Sequence, residues 1–448
     1  MLAAVVAAHG QALPAGAEPP AAVEATFNVR DYGADATGGK DSSTAFVKIM
    51  EAVGTNRHFR IYFPPGSYRL NQPAVIKAVG NDSYFGCHIQ GAGENVTELL
   101  VDNPEGGIAF RGTRITRMGV IVSDLAIVAL RADAGTALFF DTANAGVENM
   151  RQFTARNVAV RGVRFDRGFF NKAVHVRNTW YAMLQNVNIT QQYQPEIGDQ
   201  KYAMEYGILL EDCYSPLVAD CRVLNGKYGL VQRAEKTFPE DGIIRGCYFV
   251  GNVESIVIDL NKRPPAWPEP GFHIDNCHVN YRDRGIAITG LQQANISHTL
   301  FYCHDRTGTR WFKDERTLIP GGDEKTRRPY EPRDIDLEHG ANIVIDGNIF
   351  TEPANLNRVG IRIGPASGHI LISGNQFNLS GTAIKNESAE PSYSSGNIFS
   401  GRPNWAGQLA PYDDALHTLQ TADFKPAAAP KKSTHQLPPT RALDRTEK

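Results

Sequence analysis

Ile274-Asp275-Asn276-Cys277-His278-Val279, Gly285-Ile286-Ala287-Ile288-Thr289-Gly290 and Ile296-Ser297-His298-Thr299-Leu300-Phe301 all fall within 28 residues. The first and third share a pattern: an apolar residue, two polar or small residues, a marked position, one further residue, then an apolar residue. The middle segment alternates apolar with small or polar residues, the period of two that a strand requires. Both patterns recur outward from here. The first appears as VSDLAI, ARNVAV, LQNVNI, VADCRV, IRGCYF, IDGNIF, ISGNQF and SSGNIF, and the second as AVHVRN, GILLEDC, GLVQRA, SIVIDL and GIRIG. The marked position falls on Leu125, Val158, Val187, Cys221, Cys247, Cys277, Thr299, Asn348, Asn375 and Asn397. Its intervals average about 30 residues, a solenoid-type period.

Short strands repeated at variable spacing, with Asn and Gly at the turns, specify an all-β chain. The expected fold is a single-stranded parallel β-helix of about ten or more coils, rising ~4.8 Å per coil. The marked positions then stack. Three cysteines followed by three asparagines form a ladder in which Asn side chains bond to one another. Cys221, Cys247 and Cys277 are expected to be buried thiols rather than metal ligands, since no CxxC pair occurs. A solenoid must cover its apolar ends. Asp41-Ser42-Ser43 followed by Phe46, Ile49, Met50 and Val53 predicts an N-terminal capping helix.

The chain has 448 residues, 46 basic and 48 acidic, with a net charge of -2. That balance argues against a general nucleic-acid binder. No run approaches the ~20 apolar residues of a membrane span. Residues 1–25 read as a leader resembling a signal peptide, with an apolar run from Leu2 to Ala8 and Ala15-Gly16-Ala17 as an A-x-A-like site. Residues 401–448 read as a disordered tail. The solenoid domain is expected over 26–400, with a charged insertion at 304–335 that carries the basic tract Lys325-Thr326-Arg327-Arg328.

Phe27-Asn28-Val29-Arg30-Asp31-Tyr32-Gly33-Ala34, Gly38-Gly39-Lys40-Asp41-Ser42-Ser43-Thr44-Ala45 and Ile61-Tyr62-Phe63-Pro64-Pro65-Gly66-Ser67-Tyr68 resemble the start of the pectate-lyase-superfamily domain. That domain opens many right-handed parallel β-helix proteins, including relatives of polygalacturonases, rhamnogalacturonases and phage tailspike depolymerases. The resemblance implies a right-handed helix, a polysaccharide substrate and a groove along one sheet. The NTD, double-Asp, GHG and RIK motifs of family 28 glycoside hydrolases are absent from the coils, and the sole Asp-Asp pair, Asp413-Asp414, lies in the tail. The Arg-rich signature of pectate lyases is also missing.

Sites must therefore be read from the coil alignment. Val174, Ile208, Leu230, Ile256 and Ile286 align as inward residues, which leaves three outward columns. The first is Asn171, Glu205, Lys227, Val253 and Asp283. The middle is His175, Leu209, Val231, Val257 and Ala287, a mostly apolar floor for sugar C–H faces. The last is Arg177, Glu211, Arg233, Asp259 and Thr289. Glu211 and Asp259 sit two coils, ~9–10 Å, apart. That suits the acid and base of an inverting glycosidase, about 6.5–9.5 Å apart, with Arg233 between them as the third catalytic group. Glu205, Lys227, Asp283, Arg177 and His175 are expected to bind substrate, as is Trp267 on one of the loops 191–206, 233–242 and 260–271. A lyase would use the same residues differently, with Lys or Arg as base and cations neutralising a uronate carboxylate. The bland reading of the charged column is a cross-strand ion-pair ladder.

The expected function is cleavage of an acidic or mixed extracellular polysaccharide by a secreted or periplasmic monomer. A non-catalytic carbohydrate-binding or surface-attachment protein is the alternative, as is a tailspike-like depolymerase. No cofactor is expected; Ca2+ is the one metal for which the many Asp and Glu leave room, although no EF-hand-type loop is present.

Overall fold

The computed structural model describes residues 25–77, 85–112, 118–142, 151–162, 168–191, 204–236, 239, 241–261, 271–303, 331–351, 358–379 and 381–399. Trp267, the tail and all of the leader except Ala25 lie outside them, as do residues 304–330 of the insertion.

The decisive local feature is a bend repeated in ten coils of the described residues. Asp124, Asn157, Asn186, Asp220, Gly246, Asn276, His298, Gly347, Gly374 and Gly396 all have φ between 49° and 65°. Each immediately precedes a marked position. The left-handed conformation is strained for most residues but accessible to Gly, Asn and Asp. A strand that runs along one face therefore turns sharply and continues along the next. Outside the turn, Asn157 Nδ2 donates to Asp124 Oδ1 at 2.9 Å and Asn186 Nδ2 to Asn157 Oδ1 at 3.0 Å. Inside it, the expected ladder is present. Asn348 Nδ2 donates to Asn375 Oδ1 at 2.9 Å, and Asn375 Nδ2 to Asn397 Oδ1 at 3.0 Å. Cys221, Cys247 and Cys277 are free and buried.

Three faces result, and every strand pairing among the described residues is parallel. In them the first sheet has eleven rungs, traced by Ile76, Phe110, Phe140, Val176, Leu210, Gln232, Ile258, Ile288, Leu337, Ile363 and Asn386. The second and third sheets meet at the left-handed bend and reach Tyr393–Ser395 and Ile398–Phe399. The interior is one continuous apolar column. Toward the C-terminal end it holds stacked rings, with Phe301–Phe350, Phe350–Phe377 and Phe377–Phe399 at 4.9, 4.5 and 5.1 Å. The helix Ser43–Val53 buries Phe46, Ile49 and Val53 in the same core, so it caps the first coils as expected.

Two expectations change. The insertion ends earlier than residue 335, because the strand Arg333–Gly340 already pairs with its neighbours. The first outward column is displaced by one residue. Where each strand enters the first sheet, two consecutive residues face inward, and the first of them is small. A Cβ on Gly207 would lie 2.2 Å from Val223 Cγ1, and one on Gly229 would lie 2.8 Å from Phe249 Cδ1. The residue before this position points outward. The real column is thus Lys172, Tyr206, Tyr228, Glu254 and Arg284. Glu205 and Lys227 stay half-buried at the entry turn, whereas Val253 and Asp283 are buried. Asp283 precedes Arg284, which holds the outward position on that rung, so Asp283 falls outside the column.

One coil breaks the small-residue rule. Asp334 occupies the inward position between Gly285 and Gly360 and is fully buried. Arg358, also fully buried, donates to both its oxygens, at 3.0 Å from Nε and 2.5 Å from Nη2. Tyr281 Oη adds a bond of 2.7 Å. Arg358 also reaches the Thr351 and Phe301 carbonyls, so it ties three coils together. Arg358→Met is expected to cost about 3–5 kcal/mol by stranding the carboxylate. Adding Asp334→Gly should recover most of that loss, measured by denaturant unfolding. Equal destabilisation of the single and double variants would contradict this account.

Candidate functional site

The first sheet carries the candidate site. His175, Leu209, Val231, Val257 and Ala287 are register partners on successive rungs, and all but Val257 are buried. The rim column expected from sequence is also present in register: Arg177, Glu211, Arg233, Asp259 and Thr289, with Asp141 and Arg111 continuing it toward the N-terminal end.

Glu211 is the hub of this region. Although it faces the groove, only 5% of its surface is exposed. One oxygen, Oε2, contacts His175 Nε2 at 2.6 Å and Arg177 Nε at 3.1 Å. The other, Oε1, accepts from Arg233 Nε at 2.8 Å and from its Nη2. Burial alone would raise the Glu211 pKa. The hydrogen bonds from His175 and Arg233 outweigh that effect and bring it to about 2. An ionised carboxylate can only accept, so the proton of this bond belongs to His175 Nε2.

Burial lowers the His175 pKa despite the Glu211 carboxylate. The imidazole is thus neutral at pH 7, and the two guanidiniums carry the compensating charge. Nδ1 remains as the ring atom able to accept a proton. The ring lies 5.2 Å from Phe139. It also lines a cleft of about 280 Å³ together with Glu105, Arg111, Thr136, Phe139, Lys172 and Arg177. Three cations there face one carboxylate. Arg177 is shared between Glu211 and Asp141, the latter at 3.6 Å. Arg111 and Lys172 have no carboxylate within ion-pair distance among the described residues.

Asp259 differs in character from Glu211. It is exposed and accepts from the Asn261 amide at 3.2 Å. Arg233 turns away from it, toward Glu211 and Glu235. The two carboxylates of the expected acid–base pair therefore share a column but not an environment. A carboxyl group that titrates near 2 is no proton donor at neutral pH, whereas glycosidase acids have raised pKa values. Sequence reasoning missed Lys172, Arg111 and the tyrosines of the displaced column. Their signal was the glycine that follows each tyrosine, at Tyr206-Gly207 and Tyr228-Gly229. Among the described residues, no group of three or more His, Cys, Asp or Glu converges on a metal position. No described helix is long and apolar enough to cross a membrane.

A family model described as rhamnogalacturonase A/epimerase, pectate lyase-like, matches residues 26–279, more than half of the chain. The chain belongs to this family of right-handed parallel β-helix proteins. No curated protein matches its sequence. Among solved structures it is similar to PfbA, a surface adhesin of Streptococcus pneumoniae, at 14% identity and TM-score 0.49, covering 84% of this chain and 92% of that one. It is also similar to the A-module of the Azotobacter vinelandii mannuronan C-5 epimerase AlgE4, at 14% identity and TM-score 0.43, covering 84% and 100%. A third likeness is to tailspike protein 3 of bacteriophage CBA120, at 13% identity and TM-score 0.45, covering 84% and 54%.

The Glu211 hub has a pH signature. A carboxylate whose folded pKa is depressed contributes stability above its unfolded pKa and loses that contribution as pH falls through the folded value. The window here runs from 4.5 down to about 2. Glu211→Gln should flatten the fall of Tm with pH across this window. An unchanged Tm–pH profile in that variant would show that the hub is not ionised as described.

Proposed function

We propose that this member of the pectate-lyase-like family acts outside the cytoplasm on an acidic polysaccharide, by removing the proton beside a uronate carboxylate with His175 as base. The observation that carries this reading is the His175 imidazole, bonded through Nε2 to Glu211, on the wall of a cleft where cations outnumber carboxylates.

A proton on carbon next to a carboxylate is removed only if the charge spreading onto that carboxylate is neutralised. Lys172 and Arg111 are available for this, since neither is held by an acidic side chain among the described residues. His175 Nδ1 takes the proton. The electron pair left behind has two outcomes. It expels the glycosidic oxygen on the adjacent carbon, which forms a double bond, breaks the chain and leaves that oxygen to be protonated. Alternatively, the carbon regains a proton from its other face and the sugar is epimerised without chain cleavage. Glu211 is an orienting group in this scheme, and Asp259 lies two rungs away as a rim group.

His175→Gln should reduce turnover of a uronate polymer by about 10²–10⁴-fold while leaving binding intact. The wild-type rate should rise with pH through a midpoint below the ordinary histidine value of 6.5, because the base must be deprotonated and burial lowers its pKa. Appearance of ultraviolet-absorbing unsaturated product reports elimination, and NMR of the polymer reports epimerisation. Chain cleavage without an unsaturated product, lost in Asp259→Asn and retained in His175→Gln, would identify a hydrolase instead. Binding without turnover on any uronate polymer would mark a glycan-attachment protein.

A further inference from the structure

Two lysines beside the groove are held by rings rather than by carboxylates. Lys172 Nζ lies 6.0 Å from the Tyr206 ring centroid, and Lys227 Nζ lies 4.9 Å from that of Tyr228. Tyr206 and Tyr228 are register partners, and their rings stack at 5.2 Å with planes 18° apart. Arg233 approaches the Tyr206 ring as well, at 5.9 Å, but its charge is already engaged by Glu211 and Glu235. Neither lysine has a carboxylate partner among the described residues.

This difference in partner has an electrostatic consequence. A carboxylate holds a lysine in place by cancelling its charge. An aromatic face holds it through the ring quadrupole, with about 0.5–1 kcal/mol at an exposed site, and adds no net charge. A ring-held ammonium is therefore both positioned and uncompensated. We propose that the Tyr206–Tyr228 stack is a positioning element that holds Lys172 and Lys227 aimed for two carboxylates of one acidic glycan. The lysines belong to rungs two apart, ~9–10 Å along the axis, about two sugar steps, so they match carboxylates on sugars i and i+2, which a dimer does not have. Lys172 serves the cleft beside His175. Lys227 defines a second anionic subsite further along the groove, so the preferred ligand is a polyuronate that carries carboxylates beyond the reacting sugar. This inference rests on the acidic-glycan reading above and assigns it a length and charge requirement.

The test is a size series of end-labelled oligogalacturonates and oligomannuronates, from dimer to octamer, with affinity read by fluorescence anisotropy and turnover by kcat and KM. Lys227→Gln removes the second charge without disturbing the ring stack. It should weaken binding of the hexamer and longer probes about 3- to 10-fold, raise their KM with little change in kcat, and leave the dimer unaffected. Tyr228→Leu should reproduce this pattern, and Tyr228→Phe, which keeps the ring, should restore wild-type behaviour. Thermal unfolding of each variant separates misfolding from mispositioning. If Lys227→Gln weakens dimer and hexamer equally, or neither, the second subsite is disproved while the His175 reading stands. If the wild-type protein binds no acidic oligosaccharide, both fall together.

Discussion

The left-handed bend between the second and third sheets is the constraint on which the molecule depends. It recurs ten times with φ near +50° to +65°, filled by Asp, Asn, Gly and one His. A coil that failed to bend there would carry its next strand away from the stack and leave backbone donors and acceptors unpaired. Because the bend is the same in these ten coils, their equivalent residues fall in register on all three faces. The outer Asp–Asn bonds and the inner Asn ladder each reach from one rung to the next. They act together with the main-chain pairing, so each coil is positioned by its neighbours. The regular side-chain columns of the first sheet are a consequence of this regularity.

The bend also explains why the fold was legible in the chain. The small or amide residue needed at each left-handed position sits next to the marked residue, flanked by apolar residues that point inward. That short signature survives loops of very different length. It placed Val174, Ile208, Leu230, Ile256 and Ile286 on one interior row, and the structure pairs them in that row. The rim from Arg177 to Thr289 followed, because it lies on the regular side of that row. The opposite rim did not follow. Strict alternation fails where the strand enters the sheet, since Gly207 and Ile208 both face inward. No period-two reading anticipates this, and it brought Asp283 to a surface that it does not occupy. The glycines in that row are present because the facing side chains of Val223 and Phe249 leave no room for a Cβ.

The candidate site was less legible for a different reason. Its central bond is diagonal. His175 pairs in register with Leu209, yet its Nε2 reaches Glu211, one rung on and two residues along. Column reading compares residues on the same level, so it grouped Glu211 with Asp259 and left His175 as a floor residue. Diagonal contacts between parallel strands depend on side-chain length and rotamer, which the sequence does not display. Burial lowers the His175 pKa, whereas hydrogen bonds from His175 and Arg233 overcome burial at Glu211.

The protein answers the problem of a buried charge in three ways, and the choice of partner separates structure from chemistry. Asp334 and Arg358 neutralise each other completely inside the core, where no ligand arrives. Glu211 sits at the groove surface with two guanidiniums, more positive charge than it cancels alone, while Arg177 and Arg233 are each shared with a second acid. That arrangement fixes one imidazole tautomer without leaving the carboxylate free to react. Lys172 and Lys227 take the third solution, a ring in place of an acid. Full neutralisation gives stability, shared neutralisation gives orientation, and an aromatic partner keeps charge in reserve. The three occur in order from the core to the surface of the first sheet, and the last, unlike the other two, leaves positive charge unpaired by an acidic side chain.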